Sequence, residues 1–152
     1  PVAGERWFTH RFADADLMAS RNEGAGTVFD TIEVSVPWRS AATLAAALES
    51  EIGPLCAQLF LHASHAYRSG TCLYAMLFIQ EATDAEALAR CREAWERTLT
   101  LTELHGGATG HHHGIGEVRR QRYADSADGR LHRLVKGALD PAGILRAPLV
   151  RD

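Results

Sequence analysis

Three adjacent histidines lie between glycines in the interior of the chain, in the run Gly110-His111-His112-His113-Gly114-Ile115-Gly116. Imidazole has an ordinary pKa of about 6.5, so histidines can donate, accept or relay protons, or bind a ligand, near neutral pH. Glycines on both sides let the backbone approach a bound group closely or take a positive φ angle. The run therefore predicts a functional site, with a solvated histidine loop as the alternative.

Composition limits the class of protein. The chain has 152 residues, of which 46% are hydrophobic, enough for one compact domain over residues 1–152. A net charge of −3 provides no basic field, so we expect no nucleic-acid partner. No apolar stretch approaches the roughly 20 residues of a membrane-spanning helix. Three separate cysteines without a CxxC motif are typical of reduced thiols, so we expect a cytoplasmic protein: Cys56, Cys72 and Cys91. A location peripheral to a membrane stays open.

Alternating strand and helix patterns predict the elements that must position the histidines. Residues 27–36 alternate side chains with a period of two, which indicates a strand. Thr83 with Glu86 three residues later is typical of a capping box at the start of a helix. The predicted series is a strand at 27–36, a helix at 41–52, a hairpin of 55–67 and 71–80, a helix at 83–104, a short strand at 108–110 and a final helix at 130–139.

This order, β-α-β-β-α-β plus a C-terminal helix, predicts an α+β fold of the ferredoxin-like, split β-α-β kind. Its antiparallel sheet carries helices on one face, so the hairpin and the histidine run can meet on the other. Adjacent side chains of an extended segment point to opposite faces, which predicts that His111 and His113 share a side while His112 faces away. The same alternation places His62 and His65 on opposite faces of a strand and argues against a metal pair.

Four separated motifs resemble the C-terminal domain of the FAD-linked oxidases, a superfamily that includes glycolate oxidase subunits, D-lactate dehydrogenases and alkylglycerone-phosphate synthases. The motifs are Asp30-Thr31-Ile32-Glu33 with Pro37-Trp38, His62-Ala63-Ser64-His65 continuing through Tyr67 and Gly70 to Cys72-Leu73-Tyr74, the run from Gly106-Gly107 to Gly116, and Leu139-Asp140-Pro141-Ala142-Gly143-Ile144-Leu145. The resemblance covers most of residues 26–146. It implies a domain that covers the reactive face of FAD, while an N-terminal FAD-binding domain, absent from this chain and part of the same or a separate chain, binds most of the cofactor.

Within that superfamily, the local residues favour one branch. The hydroxy-acid dehydrogenases carry Glu-His-Gly where this chain has His112-His113-Gly114, and a second histidine where it has Tyr74. In several of those enzymes the glutamate and the histidines bind a divalent metal, so the replacements imply no metal site here. The His-His-His-Gly form, with Cys72 and Tyr74, is similar to alkylglycerone-phosphate synthase instead. That family exchanges an acyl group on dihydroxyacetone phosphate for a fatty alcohol, without net redox change of the flavin.

The resemblance also implies roles for the residues of the run. Tyr74 would transfer a proton beside the flavin, because ether formation needs general acid and base catalysis. His111, His112 and His113 would act with it, by binding phosphate or relaying protons. His113 and Gly114 would also contact the cofactor. Without the resemblance, Tyr74 is equally well explained as an ordinary strand aromatic.

Three further residues are implied in binding a small-molecule or lipid-phosphate substrate. His65 and Cys72 would line the pocket, although a buried thiol acting as a small hydrophobe explains Cys72 as well. Arg21 lies two positions from Ala19, where the family usually has an arginine that would bind phosphate. The family commonly continues Asn-Pro-Gly-Lys where this chain has residues 146–149, Arg-Ala-Pro-Leu.

Two other interpretations stay open. The chain can be the corresponding domain of an FAD-linked 2-hydroxy acid oxidase or dehydrogenase. It can also be a free-standing histidine-rich module that binds a metal or a small ligand. A homodimer is compatible with each interpretation.

Overall fold

The computed structural model describes residues 4, 5, 8 and 25–145. Arg21, Ala19 and residues 146–149 lie outside the described residues. None of the helices in the described part is long and apolar enough to cross a membrane. The elements, in chain order, are β1 (Thr27–Pro37), α1 (Trp38–Ile52), a 3-10 turn (Gly53–Leu55), β2 (Gln58–Ala66), β3 (Gly70–Gln80), α2 (Asp84–Leu104), α3 (Gly116–Asp125) and α4 (Ala127–Leu139).

The three strands form an antiparallel sheet in the order β1-β3-β2. Alternate residues of β1 and β3 point to one face, where they pack against α1 and α2 in a single core that includes Ile32, Leu77, Ile79, Leu48 and Leu99. The predicted α+β fold, an antiparallel sheet with helices on one face and a C-terminal helix, is therefore confirmed. The opposite face of the sheet is left for the candidate site.

Polar contacts fix helix α2 at its N-terminus and on its inner face. Its N-terminus has the predicted cap: the Glu86 amide donates to Thr83 Oγ1 at 3.3 Å, and the Thr83 hydroxyl donates to the Glu86 carboxylate at 2.8 Å. On its inner face, Trp95 Nε1 donates to Asp30 Oδ2 of β1 at 2.7 Å. Because a partly buried carboxylate needs hydrogen-bond donors, this contact fixes α2 across β1.

The predicted strand at 108–110 is reduced to a single bridge. Ser35 and Ala108 exchange two backbone hydrogen bonds, of 3.0 and 2.8 Å, and pairing stops there. The approach needs a glycine, since a Cβ on Gly107 would lie 2.5 Å from the Ser35 carbonyl oxygen. The bridge therefore holds the entry to the histidine loop, defined as residues 109–116, against the edge of β1.

The C-terminal part has one helix more than the sequence predicts. The predicted helix at 130–139 begins earlier, at Ala127, where the Ser126 hydroxyl accepts a hydrogen bond from the Gly129 amide at 3.0 Å. Helix α3 precedes it and is attached to α2 by Arg122, whose guanidinium binds Glu96 at 2.7 Å and Glu103 at 2.8 Å. Helix α3 has few apolar residues, so the sequence shows no apolar repeat at helical spacing from which it could be predicted.

Two glycines of α4 test the packing of α3 against α4. A Cβ on Gly129 would lie 1.9 Å from the Tyr123 carbonyl oxygen, whereas a Cβ on Gly137 would meet nothing within 4 Å. We expect Gly129→Ala to lower the free energy of unfolding by about 1–3 kcal/mol through overpacking. Gly137→Ala, the matched control, is expected to raise it by about 0.5–1 kcal/mol through helix propensity. Urea unfolding measures both, and equal effects of the two variants would contradict this packing.

Candidate functional site

The candidate site lies on the open face of the sheet, opposite α1 and α2. Tyr74 of the central strand β3 points to this face, with Glu33 of β1 and His62 of β2 as its cross-strand partners. Cys72 lies on the same face at the i−2 position. Strand pleating thus brings an acid, a phenol, an imidazole and a thiol together.

A bulge in β2 adds a second histidine to this face. The pairing register shifts between Ala63 and His65, so that His62 lies opposite Tyr74 and His65 lies opposite Cys72. The prediction that His62 and His65 point to opposite faces is wrong, because a bulge inserts an extra residue and reverses the alternation. The His65 Nδ1 atom is buried without a hydrogen-bond partner among the described residues.

Glu33 is the residue that draws the histidine loop onto the sheet. Its side chain is fully buried, and its two oxygens accept the backbone N–H groups of His111 at 3.2 Å and His112 at 2.9 Å. Cys72 Sγ donates to the same carboxylate at 3.5 Å. Burial alone would raise the pKa of Glu33, but the amides of His112 and His111 and the thiol outweigh it, so the pKa lies below its usual value. Glu33 is therefore a buried anion at neutral pH.

All three histidines point into one cluster. His112 Nε2 lies 2.6 Å from the Tyr74 hydroxyl oxygen, and His113 Nε2 lies 3.2 Å from the same oxygen. His112 Nδ1 lies 2.7 Å from His111 Nδ1. The prediction that His112 faces away from its neighbours is wrong, because the segment is bent rather than extended where Glu33 binds two successive amides.

The charge state of the cluster follows from its surroundings. Burial lowers the pKa of His112, and the negative charge of Glu33 opposes this effect. The neighbouring imidazoles lower the pKa further: His113, His65 and His111. Burial, together with the negative charge of Glu33, raises the pKa of Cys72 to about 12. Burial also raises the pKa of Tyr74. At neutral pH the site therefore combines a neutral phenol, a neutral thiol and a neutral His112 above one buried negative charge.

Arg119 of α3 completes the support of the histidine loop. It is 5% exposed, and its guanidinium donates to three carbonyl oxygens, those of Thr109, Gly114 at 3.2 Å and Glu33 at 2.8 Å. The guanidinium also lies over the Trp95 ring, 4.8 Å from its centroid. Burial lowers the pKa of Arg119, while Glu33 and Asp30 oppose the change. This arginine connects α3, both ends of the loop and β1.

A cleft of about 480 Å³ adjoins the cluster at the edge of β1. It is lined by Tyr67 and His111 together with backbone from the Gly70 and Gly107 turns. Tyr67 stacks on His65, with ring centroids 6.0 Å apart and planes within 6°. The cleft therefore offers a second approach to the histidines, from the side of the sheet.

The structure thus groups nearly all of the predicted site residues. Tyr74, Cys72, His65 and the three histidines of the run meet on one face, and Gly114, with φ of 77°, turns the loop back toward α3. The roles implied for them, including cofactor contacts of His113 and Gly114, stay predictions. Glu33, Arg119 and His62 belong to the site but were not predicted. Glu33 occupies a polar position of the first strand, and the alternation of polar and apolar residues predicts that such a position faces solvent.

The buried carboxylate gives a pH-dependent contribution to stability. Its folded-state pKa lies below the ordinary value of 4.5, so this contribution is present above pH 4.5 and is lost as pH falls through the lower folded-state pKa. We expect Glu33→Gln to lower the free energy of unfolding by about 1–3 kcal/mol at pH 7, because an amide accepts the two N–H groups poorly. The difference from the unmodified protein should shrink toward pH 3.

Urea unfolding at pH 7 and at acid pH measures that difference in the metal-free protein. Glu117→Gln is the control, since the Glu117 side chain is 76% exposed and, among the described residues, pairs with Arg120 of its own helix. We expect an effect within about 0.5 kcal/mol for this control. A Glu33→Gln effect that is independent of pH would show that the carboxylate is not charged in the folded state.

Arg119→Lys tests the support of the loop by α3. The planar guanidinium of Arg119 donates to three carbonyl oxygens at once, and the single ammonium of a lysine cannot reproduce that arrangement. We therefore expect the free energy of unfolding to fall by about 1–3 kcal/mol. Amide hydrogen exchange of His111 and His112 should accelerate. Arg97→Lys, at an exposed pair with Glu93, is the control and should change neither measurement. Unchanged exchange in Arg119→Lys would mean that the guanidinium of Arg119 does not position the loop.

Comparison with known proteins adds independent information. A family model described as "FAD linked oxidases, C-terminal domain" matches residues 3–148. Among solved structures, an alkyldihydroxyacetonephosphate synthase is similar, with a TM-score of 0.59 and 17% sequence identity, over 90% of this chain and 23% of that one. At this identity the likeness is one of fold, and the chain spans about a quarter of the length of that structure. No curated protein matches the chain. Because the family model spans nearly the whole chain, this chain belongs to the C-terminal domain family of the FAD-linked oxidases.

Proposed function

We propose that this domain supplies the acid–base residues of an FAD-dependent enzyme of the alkylglycerone-phosphate synthase type. The observation that carries the proposal is the Tyr74 hydroxyl, held between His112 Nε2 at 2.6 Å and His113 Nε2 at 3.2 Å on the open face of the sheet. The similar synthase structure and the His-His-His-Gly run favour this branch of the family. Acyl exchange on dihydroxyacetone phosphate with a fatty alcohol is the reaction that the resemblance implies.

The open face offers apolar side chains beside polar ones, which suits the flat flavin ring of FAD, the cofactor that membership in the family implies for the full protein. Next to Tyr74 the face carries Met76 and Phe78, half-buried, and Phe60, which is 52% exposed. Such a patch is typical of a surface that another group covers. Tyr74, His113 and Gly114 are the residues that would contact the flavin ring. When bound, FAD would supply the electron-accepting group against which the exchange takes place.

The residues of this chain would move the protons of the exchange. The reaction removes a proton from a substrate carbon and transfers protons to the leaving oxygen and from the entering alcohol. Because Tyr74 is a neutral phenol on the open face, its oxygen can take a proton from the substrate only as its own proton passes to an imidazole. The acceptors within reach are His112 Nε2 at 2.6 Å and His113 Nε2 at 3.2 Å. The phosphate would bind to the histidines and to Arg21.

The test uses the full-length protein with its FAD-binding domain and bound FAD. Incubated with an acylated dihydroxyacetone phosphate and a labelled fatty alcohol, it should form the ether product without reducing an electron-acceptor dye. Tyr74→Phe should lower the rate about 100-fold or more, the usual contribution of a positioned acid–base group. Tyr123→Phe is the control, because its hydroxyl contacts His132 outside the cluster, and it should keep the rate.

Two outcomes would overturn the proposal. Dye reduction by D-2-hydroxy acids, without ether formation, would assign the protein to the hydroxy-acid dehydrogenase branch. Equal rates for Tyr74→Phe and Tyr123→Phe would remove Tyr74 from proton transfer. A spectrum of bound FAD, recorded for each variant, separates lost chemistry from lost cofactor.

A further inference from the structure

Four ligand atoms converge beneath the histidine loop, and neither the family match nor the proposed function uses them together. They come from Glu33 of β1, Cys72 of β3 and the loop residues His111 and His112, and all lie within 4.8 Å of one another. We propose that this group binds one divalent transition-metal ion, with Zn²⁺ as the best fit. The ligands would be one carboxylate oxygen, one sulfur and the Nδ1 atoms of two imidazoles.

The spacing of these atoms is close to that of a tetrahedral zinc site. Zinc–nitrogen and zinc–oxygen bonds near 2.0 Å and a zinc–sulfur bond near 2.3 Å place tetrahedral N or O ligands about 3.3 Å apart, and S and O ligands about 3.5 Å apart. From Glu33 Oε1, the distances are 3.1 Å to His112 Nδ1, 3.6 Å to His111 Nδ1 and 3.5 Å to Cys72 Sγ. The two Nδ1 atoms, 2.7 Å apart, would have to separate to about 3.3 Å, and the sulfur, which lies within 4.8 Å of both, would have to come to about 3.5 Å from each.

The arrangement of lone pairs also favours a cation. The Nδ1 atoms of His111 and His112 lie close to each other and to the same carboxylate oxygen, and each of the three atoms has a lone pair. The imidazole hydrogens cannot provide a hydrogen bond for every one of these lone pairs. A metal ion would accept a lone pair from each. The charges balance, since Zn²⁺ with one carboxylate and one thiolate is neutral, and binding releases the thiol proton of Cys72 to solvent.

The residues around the four ligands would orient them. The backbone N–H groups of His111 and His112 fix the Glu33 carboxylate, and Arg119 lies 3.8 Å from its Oε2 atom. His112 contacts Tyr74 through Nε2, so ligation through Nδ1 leaves that contact in place. Outer contacts of this kind are typical of metal ligands. The set differs from the one that the hydroxy-acid branch implies, because neither Tyr74 nor His113 is a ligand.

The expectation of no metal site rests on two positions of the resemblance, His112 and Tyr74. In the histidine run, His112 replaces the carboxylate of the metal-binding branch, which removes the usual mixed ligand set. The fold supplies another carboxylate, from β1, and a thiol from β3. A mixed ligand set is therefore available once ligands from outside the family's metal-binding positions are included.

The test uses the full-length, FAD-loaded protein after treatment with a chelator. Zn²⁺ binding is measured by equilibrium dialysis, and Co²⁺ serves as a spectroscopic probe through difference spectra against the cobalt-free protein. We expect one equivalent of either metal, with a thiolate-to-cobalt charge-transfer band. Cys72→Ser should abolish the band and weaken Zn²⁺ binding at least about tenfold.

Cys91→Ser is the matched control, because Cys91 is also buried and its sulfur lies 3.8 Å from a carboxylate, that of Asp30. It should keep both the band and the affinity. Should Cys72→Ser fail to fold, His111→Ala with His105→Ala as its control replaces it in the dialysis experiment. Absence of stoichiometric binding, or equal binding by Cys72→Ser and Cys91→Ser, overturns the proposal. None of these measurements depends on ether formation, so the metal site and the proposed activity fail separately.

Discussion

The buried carboxylate of Glu33 is the constraint on which the site depends. Removing a carboxylate from water is costly unless donors replace its hydration, and here two backbone amides and a thiol do so. The amides belong to consecutive residues, His111 and His112, so satisfying one side chain forces the loop to bend. That bend sets three imidazoles over the sheet. The loop is rich in glycine and histidine, and Ile115 is its one apolar side chain, so apolar packing contributes little to holding it there.

The sheet makes that constraint effective because its own register is firmly set. The core side chains of β1 and β3 occupy one face, so a slip of one residue would bury Glu33 and Tyr74 against the helices. The single bridge at Ala108 then determines where the loop leaves the edge of β1. Core packing, which has no chemistry of its own, thereby fixes the distance between the Tyr74 oxygen and the imidazoles.

Sequence patterns predict the parts of this structure that depend on local periodicity. Alternation identifies β1 and the hairpin, and the Thr83 cap identifies the start of α2, because each signal lies within one element. The bulge beside His65, the buried position of Glu33 and the bend at His112 depend on contacts between strands far apart in sequence. Helix α3 is too polar to show a period. The motif residues were therefore predictable, while their relative orientation required the fold.

The polarity of the cluster separates two kinds of chemistry. On its inner side lie Glu33 and Cys72, both fully buried, where a negative charge favours a cation or a proton and disfavours an anionic substrate. On its outer side lie Tyr74 and His113, next to an apolar sheet face, where a flavin and a substrate would bind. His112 has one nitrogen on each side. An inner cation would hold the imidazole rings in place while leaving the Tyr74 hydroxyl on the outer side, so a structural ion and acid–base catalysis are compatible within the same group of residues.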